Sequence, residues 1–309
     1  MKNQDFPLRK IILFSLALIL AVIYAFQLAF SHNTNVKDIT ISEEIDSLVI
    51  QSQNQTVHLT KKGDTWFVET FVADSALVSS LVSEMSNIKL LGLITRNSDS
   101  KAHYGLDESE KIGVCAYASQ KELRRLTIGK NASTGNQCYV QVDNKPEIYL
   151  ENSGLHDLFS VTVDSLRSLD VYSIVASEIK EVSVESQDGK FTLKRLESDS
   201  NSEWNLIENT TSVEYTALDF AKVNSWVNSL ASLRASSWLN EESKENQNEK
   251  HFTIILRNVE KTIKITIFEK DSEEDAICLC SETPYQFSIS DFVSQKFQKS
   301  LSDLQSEVK

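Results

Sequence analysis

The sequence predicts an α+β protein in which an N-terminal transmembrane helix precedes two duplicated modules of antiparallel sheet, each with helices packed on one face. Three observations predict this fold class. An uncharged apolar run fills residues 11–30, most later apolar segments alternate with polar residues, and one sequence pattern occurs twice. Period-two alternation is typical of half-buried antiparallel strands, whereas apolar spacing of three to four is typical of helices.

Residues 11–30 predict a membrane anchor. About 20 helical residues span roughly 30 Å, the thickness of the hydrocarbon core of a bilayer. Lys2, Arg9 and Lys10 precede the run and no basic cluster directly follows it, so the positive-inside rule places residues 1–10 in the cytoplasm. The rest of the chain is then expected on the periplasmic, extracytoplasmic side of the inner membrane.

A cleaved secretory signal is the alternative for the same run. Ala29, Phe30 and Ser31 form a passable small-x-small processing site. The run is longer than the roughly 7–15 apolar residues of a typical signal core, which favours an anchor that is kept. Both interpretations export the same remaining part of the chain.

The chain is acidic, with 31 Lys and Arg residues, 44 Asp and Glu residues and a formal net charge of −13 over 309 residues. An acidic surface repels phosphates, so the composition argues against nucleic acid as a partner. The length beyond the anchor is sufficient for two domains or one large one, each able to bury a core.

A repeated sequence pattern favours two modules over one large domain. Trp66 and Trp204 are 138 positions apart (204 − 66), and Pro146 and Pro284 are separated by the same 138 positions (284 − 146). Equal spacing at two points of a module indicates an internal duplication.

The duplication sets the domain boundaries. The first α+β module is expected over residues 38–160 and the second over residues 177–309. Residues 161–176 lie between them and contain no Gly or Pro, so they are expected to form a structured connector.

Each module begins with an alternating hairpin, and the Trp-containing segment supplies a third strand. Gln, Asn, Asp and Gly residues fill the hairpin turns. The apolar positions of the two hairpins are Leu48, Ile50, Val57 and Leu59 in the first copy and Val182, Val184, Phe191 and Leu193 in the second.

A helix is expected after each Trp strand, with Asp74 or Ser75 as the first N-cap. Its core-facing stripe is Leu77, Leu81, Met85 and Ile88 in the first copy and Leu218, Val223, Trp226, Val227, Leu230 and Leu233 in the second, where the helix ends at Arg234. Four strands and a short closing helix follow in each copy: strands 112–118, 123–128, 137–142 and 147–150 with helix 153–159, then strands 252–256, 262–268, 276–280 and 285–289 with helix 291–301.

Four cysteines stand in apolar or aromatic surroundings, and none belongs to a CxxC pair or a Cys/His metal spacing. Cys278 and Cys280 are two apart on a strand, so they project from the same face and are badly placed to bridge each other. We expect buried thiols. A disulfide between Cys115 and Cys138 remains an alternative in an oxidising compartment.

One group of motifs resembles a known family. The group comprises Trp66, Ala73-Asp74, the tetrad Tyr104-Gly105-Leu106-Asp107, Ile128-Gly129 and Tyr139-Val140. It is similar to the bacterial domain-of-unknown-function family numbered 4340, and its most specific part is the tetrad together with Ile128-Gly129. The second copy departs from the pattern: it has no such tetrad near Trp238-Leu239, and Phe268 stands where Gly129 would align.

The resemblance implies a membrane-tethered extracytoplasmic protein, and many members of the family are encoded beside ABC-type transporter components of the gliding-motility kind. It implies a noncatalytic accessory or assembly protein of an inner-membrane transporter or envelope complex, with protein partners. It transfers no catalytic residue. The tetrad Tyr104, Gly105, Leu106 and Asp107, with Trp66 and Trp204, is the candidate interaction or structural motif.

Searches for reactive groups predict no enzyme, no cofactor and no metal. The segment 129–135 has Gly and Lys in the wrong order for a phosphate-binding loop, and the five histidines are scattered without an H-x-x-x-H pair. Acid–base chemistry by His103 with Asp107, Glu108 or Glu110 is a minor alternative. The main alternative is an extracytoplasmic binding module for a small molecule, lipid or envelope polymer, held in a cleft between the two modules.

Overall fold

Strands dominate the chain. The computed structural model describes residues 15–24, 37–133, 135–196, 203–242, 251–268 and 275–306, and within these ranges a ten-stranded, an eight-stranded and a two-stranded sheet account for most of the regular structure. The predicted α+β class is therefore wrong, because the described helices are few and short whereas long antiparallel sheets run through the protein. The sequence pattern overstated the helices where a helical stripe continues directly into a strand.

The predicted N-terminal span is also contradicted. Residues 15–24 form a helix, α1, and none of the helices in the described ranges is both long and apolar enough to cross a membrane. The inner-membrane, single-pass location inferred from residues 11–30 is corrected accordingly, and residues 1–10 lie outside the described ranges.

The chain divides into two compact units, Met1–Ser168 and Leu169–Lys309. The first unit contains one antiparallel sheet with the strand order β1-β6-β10-β9-β8-β7-β2-β3-β4-β5. Its strands are β1 (Lys37–Thr40), β2 (Ser47–Gln51), β3 (Thr56–Lys62), β4 (Thr65–Val68), β5 (Phe71–Val72), β6 (Asn87–Thr95), β7 (Ile112–Ala118), β8 (Lys121–Asn131), β9 (Cys138–Val142) and β10 (Ile148–Glu151).

The second unit contains an antiparallel sheet with the order β14-β13-β12-β17-β18-β19-β20-β16 and a two-stranded sheet of β11 and β15. The strands are β11 (Asp170–Ser173), β12 (Glu181–Ser186), β13 (Gly189–Leu196), β14 (Glu203–Asn209), β15 (Ser232–Arg234), β16 (Ser237–Glu242), β17 (His251–Arg257), β18 (Thr262–Phe268), β19 (Ala276–Cys280) and β20 (Thr283–Ile289).

The two large sheets have the same strand order. From β4 to β6 the first sheet runs β4-β3-β2-β7-β8-β9-β10-β6, and the second runs β14-β13-β12-β17-β18-β19-β20-β16. Each sheet starts with a three-stranded meander that carries Trp66 on β4 or Trp204 on β14. In each unit a strand that comes after the main helix, β6 directly after α2 and β16 after α5 and β15, pairs with the last strand in sequence, β10 or β20.

Beyond α1, the α-helices are α2 (Ser75–Ser86), α3 (Leu155–Phe159), α4 (Val163–Leu166), α5 (Phe220–Leu230) and α6 (Asp291–Phe297). Asp74 caps α2 by accepting hydrogen bonds from the amides of Ala76 and Leu77, and Asp219 caps α5 in the same way.

The core of each unit joins its helix to its sheet. Val78, Leu81 and Met85 of α2 pack in one buried cluster with strand residues such as Leu48 and Leu59. The predicted stripe on α2 was shifted at both ends: Leu77 is exposed, and Ile88 belongs to β6. In the second unit, Trp226, Val227 and Leu230 of α5 pack with the corresponding hairpin residues, which include Val182 and Leu193.

Candidate functional site

The tetrad 104–107 begins at the last residue of a short 3-10 helix, Ser98–Tyr104, in the first unit. Gly105 adopts the left-handed conformation with φ +66°, which a residue with a Cβ rarely takes. Its amide donates to the carbonyl of Ala102 at 3.3 Å, and the amide of Leu106 donates to the carbonyl of Lys101 at 3.0 Å. Gly105 is therefore required to end the helix and turn the chain inward.

The tetrad lies directly on strand β8 at Gly129. A Cβ built on Gly129 would lie 2.2 Å from the carbonyl oxygen of Tyr104 and 3.0 Å from Cγ of Leu106. Leu106 is buried, with 3% of its surface exposed. The two most specific parts of the family pattern, the tetrad and Ile128-Gly129, are thus the two sides of one close contact.

Aromatic rings surround this contact. The ring of Tyr104 lies 4.7 Å from that of Tyr139 on β9 and 5.0 Å from that of His103, centroid to centroid. Such tilted and edge-on pairs contribute about 0.5–1.5 kcal/mol each beyond the burial of their area. Tyr139 is another residue of the family pattern, so the ring contact extends from the tetrad to a second strand, β9.

Asp107 completes the turn. Its Oδ1 accepts hydrogen bonds from the amide of Ser109 at 3.0 Å and from the hydroxyl of Ser109 at 2.6 Å. These bonds from Ser109, the side-chain bond first, lower the pKa of Asp107 below its usual value. The backbone carbonyl of Asp107 accepts from the amides of Glu110 and Lys111. Asp107 therefore acts as an ionised capping residue in a turn.

The possible acid–base group is not assembled around His103. Its ring packs on Tyr104, and within the described ranges no carboxylate hydrogen-bonds to it. Asp107 is engaged by Ser109, and Glu108 forms an exposed ion pair with Lys111. In the part of the chain that the structure describes, no three His, Cys, Asp or Glu side chains are grouped so that they could hold a metal ion.

A polar cavity of about 320 Å³ adjoins the turn that follows the tetrad. Its lining includes Gln55, Ser109, Glu110, His156 and Thr162. Nδ1 of His156 lies 2.8 Å from the carbonyl oxygen of Gly129. Because a carbonyl can only accept, Nδ1 carries the proton, which leaves Nε2 as an acceptor in the neutral ring. The contact of His156 with Gly129 could not be predicted from the sequence, since a single histidine has no diagnostic spacing.

The two tryptophans occupy equivalent strands but different environments. Trp66 is half-buried at the margin of the first core. Trp204 has only 1% of its surface exposed, and its Nε1 donates to Oδ1 of Asn224 on α5 at 3.0 Å. The guanidinium of Arg195 lies 4.8 Å from the centroid of the Trp204 ring. Trp204 is thus a core residue that joins β14 to α5.

All four cysteines are free and buried, so the alternative Cys115–Cys138 disulfide is not formed. Burial raises the pKa of every one of these thiols, to about 12 for Cys138 and about 11 for Cys280. A buried thiol with a raised pKa is a poor nucleophile, because the thiolate is the reactive form.

We expect the folded protein to resist thiol modification. At pH 8 roughly one-fourth of an ordinary thiol, with a pKa near 8.5, is present as thiolate. For a thiol with a pKa of about 12, the thiolate fraction is about 10⁻⁴. Iodoacetamide at pH 8 should therefore label Cys138 and Cys280 at least about 100-fold more slowly in the folded chain than in the urea-unfolded chain, where all four cysteines are accessible. Mass spectrometry gives the rate for each cysteine, and rapid labelling of Cys138 in the folded chain would refute the assignment.

Comparison with known proteins identifies a family whose matched region includes the contact between the tetrad and Gly129. The sequence model of one family, described as Domain of unknown function (DUF4340), matches residues 66–251, which is more than half of the chain and includes the tetrad, Gly129, Trp66 and Trp204. No curated protein and no solved structure matches the chain. The chain belongs to the DUF4340 family.

Proposed function

We propose that this chain is a noncatalytic accessory or assembly component that binds other proteins. The observation that carries the proposal is the use of the family tetrad. Tyr104, Gly105 and Leu106 are used to pack the chain against Gly129, and Asp107 caps the following turn. A motif whose side chains pack and cap the chain itself supports a scaffold role, since in an enzyme the polar side chains of the site would face a substrate.

The state of the other reactive groups supports the same role. The four thiols are buried and held in the protonated form, and Glu108, which follows the tetrad, forms an ion pair with Lys111. Large, well-packed sheets with two separate cores are suited to presenting a rigid surface. The family resemblance implies the partner class: a subunit of an ABC-type transporter or of an envelope complex.

The test is affinity purification of the full chain, tagged at its C-terminus, from detergent-solubilised cells of its own organism. We expect quantitative mass spectrometry to recover a transporter permease or its associated subunits above the level of an untagged control strain. We also expect deletion of the gene to lower the abundance of those subunits. Recovery of no such subunit, together with unchanged transporter abundance and transport in the deletion strain, would overturn the proposal.

The alternative function predicted from the sequence is binding of a small molecule, lipid or envelope polymer in a cleft between the modules. It stays a prediction. The polar cavity beside the tetrad is a feature of the first unit by itself and does not bear on that cleft.

A further inference from the structure

A basic groove lies in the second unit, along one face of α5. Its cavity has a volume of about 490 Å³, within the range of about 300–1,000 Å³ that is usual for small-molecule sites. Ala221, Lys222, Ser225, Trp226 and Ser229 line it from α5, at the spacing of one helix face. The opposite wall consists of Lys296, Lys299, Asp303 and Leu304.

The charge of this groove is opposite to that of the chain. Three lysines and one aspartate line the cavity, so the formal charge of its lining is +2, whereas the whole chain carries −13. Like charges brought together raise the energy of a folded protein unless a counter-charge is present. Within the described residues, no ion pair of 4.0 Å or less involves Lys222, Lys296 or Lys299.

The single carboxylate of the groove is used locally. Oδ2 of Asp303 accepts hydrogen bonds from the amide of Ser300 at 2.9 Å and from its hydroxyl at 2.8 Å. Lys222 is held in place by a hydrogen bond from its Nζ to the carbonyl of Gln305, at 3.1 Å. This bond leaves two of the three ammonium protons of Lys222 for a ligand.

The groove also has apolar walls. Trp226 and Leu304 are almost fully buried, with 4% and 1% of their surfaces exposed, and border the cavity. Nε1 of Trp226 donates to the carbonyl of Phe297 at 3.0 Å, which joins α5 to α6 and fixes the wall. A rigid apolar wall beside several ammonium groups is suited to a ligand with an anionic group and an apolar body.

We propose that this groove binds a small organic anion, with a phosphate or carboxylate group at Lys222, Lys296 and Lys299 and an apolar body against Trp226 and Leu304. The proposal goes beyond the accessory role and does not depend on it. A free organic phosphate and an anionic lipid headgroup offer the same anionic chemistry, so the test includes both sources.

The probe is 1-anilinonaphthalene-8-sulfonate, an anion with an aromatic body, titrated into the full chain and followed by its fluorescence. Binding should be weakened about tenfold or more, a loss of about 1.4 kcal/mol, when Lys222, Lys296 and Lys299 are all replaced by Gln. The matched control replaces Lys101, Lys145 and Lys194 by Gln, which removes the same charge from exposed positions that do not line the groove. This control should bind the probe as the wild type does.

Two further measurements complete the test. In the wild type, added salt should weaken binding of the sulfonate but not of its uncharged analogue N-phenyl-1-naphthylamine, which tests the charge contribution without any variant. Phenyl phosphate should displace the probe if the anion is soluble, and sedimentation with phosphatidylglycerol vesicles should depend on the three lysines if the source is a lipid. Equal loss in both triple variants, or salt-independent binding of the sulfonate, would overturn the proposal, as would a failure of both phenyl phosphate and the vesicles.

Discussion

Replacement of Gly129 by Ala is expected to destabilise the first unit by about 3 kcal/mol, because the added methyl group has no space. The new Cβ would lie 2.2 Å from the carbonyl oxygen of Tyr104, far inside van der Waals contact. That oxygen belongs to the backbone, so it cannot rotate away as the end of a flexible side chain would. Either β8 or the turn of the tetrad must shift, and the packing of Leu106 is lost with it.

Hydrogen exchange of the full chain, followed by mass spectrometry, measures this loss for each unit separately. Protection should fall in peptides from β8 and from the segment 98–111, and peptides of the second unit should keep theirs. The matched control is Gly92→Ala on β6, where nothing lies within 4 Å of the added Cβ. It should change stability by no more than about 0.5 kcal/mol. If Gly129→Ala is as stable as Gly92→Ala, the tetrad does not pack on β8 in the way described.

The strands were the most predictable part of this fold. The hairpins expected from Leu48–Leu59 and Val182–Leu193 coincide with β2 and β3 and with β12 and β13. Period-two alternation reports directly which face of a strand is buried, so neighbouring residues suffice to find such a hairpin.

The helices were predicted less well. α2 passes into β6 between Ser86 and Asn87, and α5 is followed almost at once by β15. No Gly or Pro marks either junction, so the apolar spacing of each helix ran on into the next strand, and β6 was missed. Only pairing with β1 and β10 fixes residues 87–95 as a strand, and these contacts are distant in sequence.

The candidate site was predictable only in its local part. The turn at Gly105 and the cap at Asp107 follow from the residue types themselves. The contact of the tetrad with Gly129 joins segments more than twenty positions apart, and no local rule gives it. The basic groove is harder still, because Lys222 and Lys296 are separated by most of the second unit. Single lysines and histidines have no spacing from which such a grouping could be recognised.

Replacement of Trp204 by Ala is expected to have the other large effect, a loss of about 3–5 kcal/mol from the second unit. The side chain is 1% exposed and among the largest that are fully buried, so its removal leaves a cavity that the sheet cannot fill. The change also leaves Oδ1 of Asn224 without its donor and removes the ring beside the guanidinium of Arg195. Asn224 is exposed, so water can replace the lost donor, and the cavity accounts for most of the expected loss.

Trp66→Ala is the matched variant, because the two tryptophans hold equivalent places on β4 and β14. Trp66 is half-buried, and within the described residues no side-chain hydrogen bond joins it to α2, so its loss should cost about 1–2 kcal/mol. Hydrogen exchange of the full chain compares the two losses in one protein background, each within its own unit. A loss for Trp66→Ala that equals or exceeds the loss for Trp204→Ala would contradict the difference in burial described for the two side chains. The expected inequality means that the two sheets share a strand order while each core depends on different side chains.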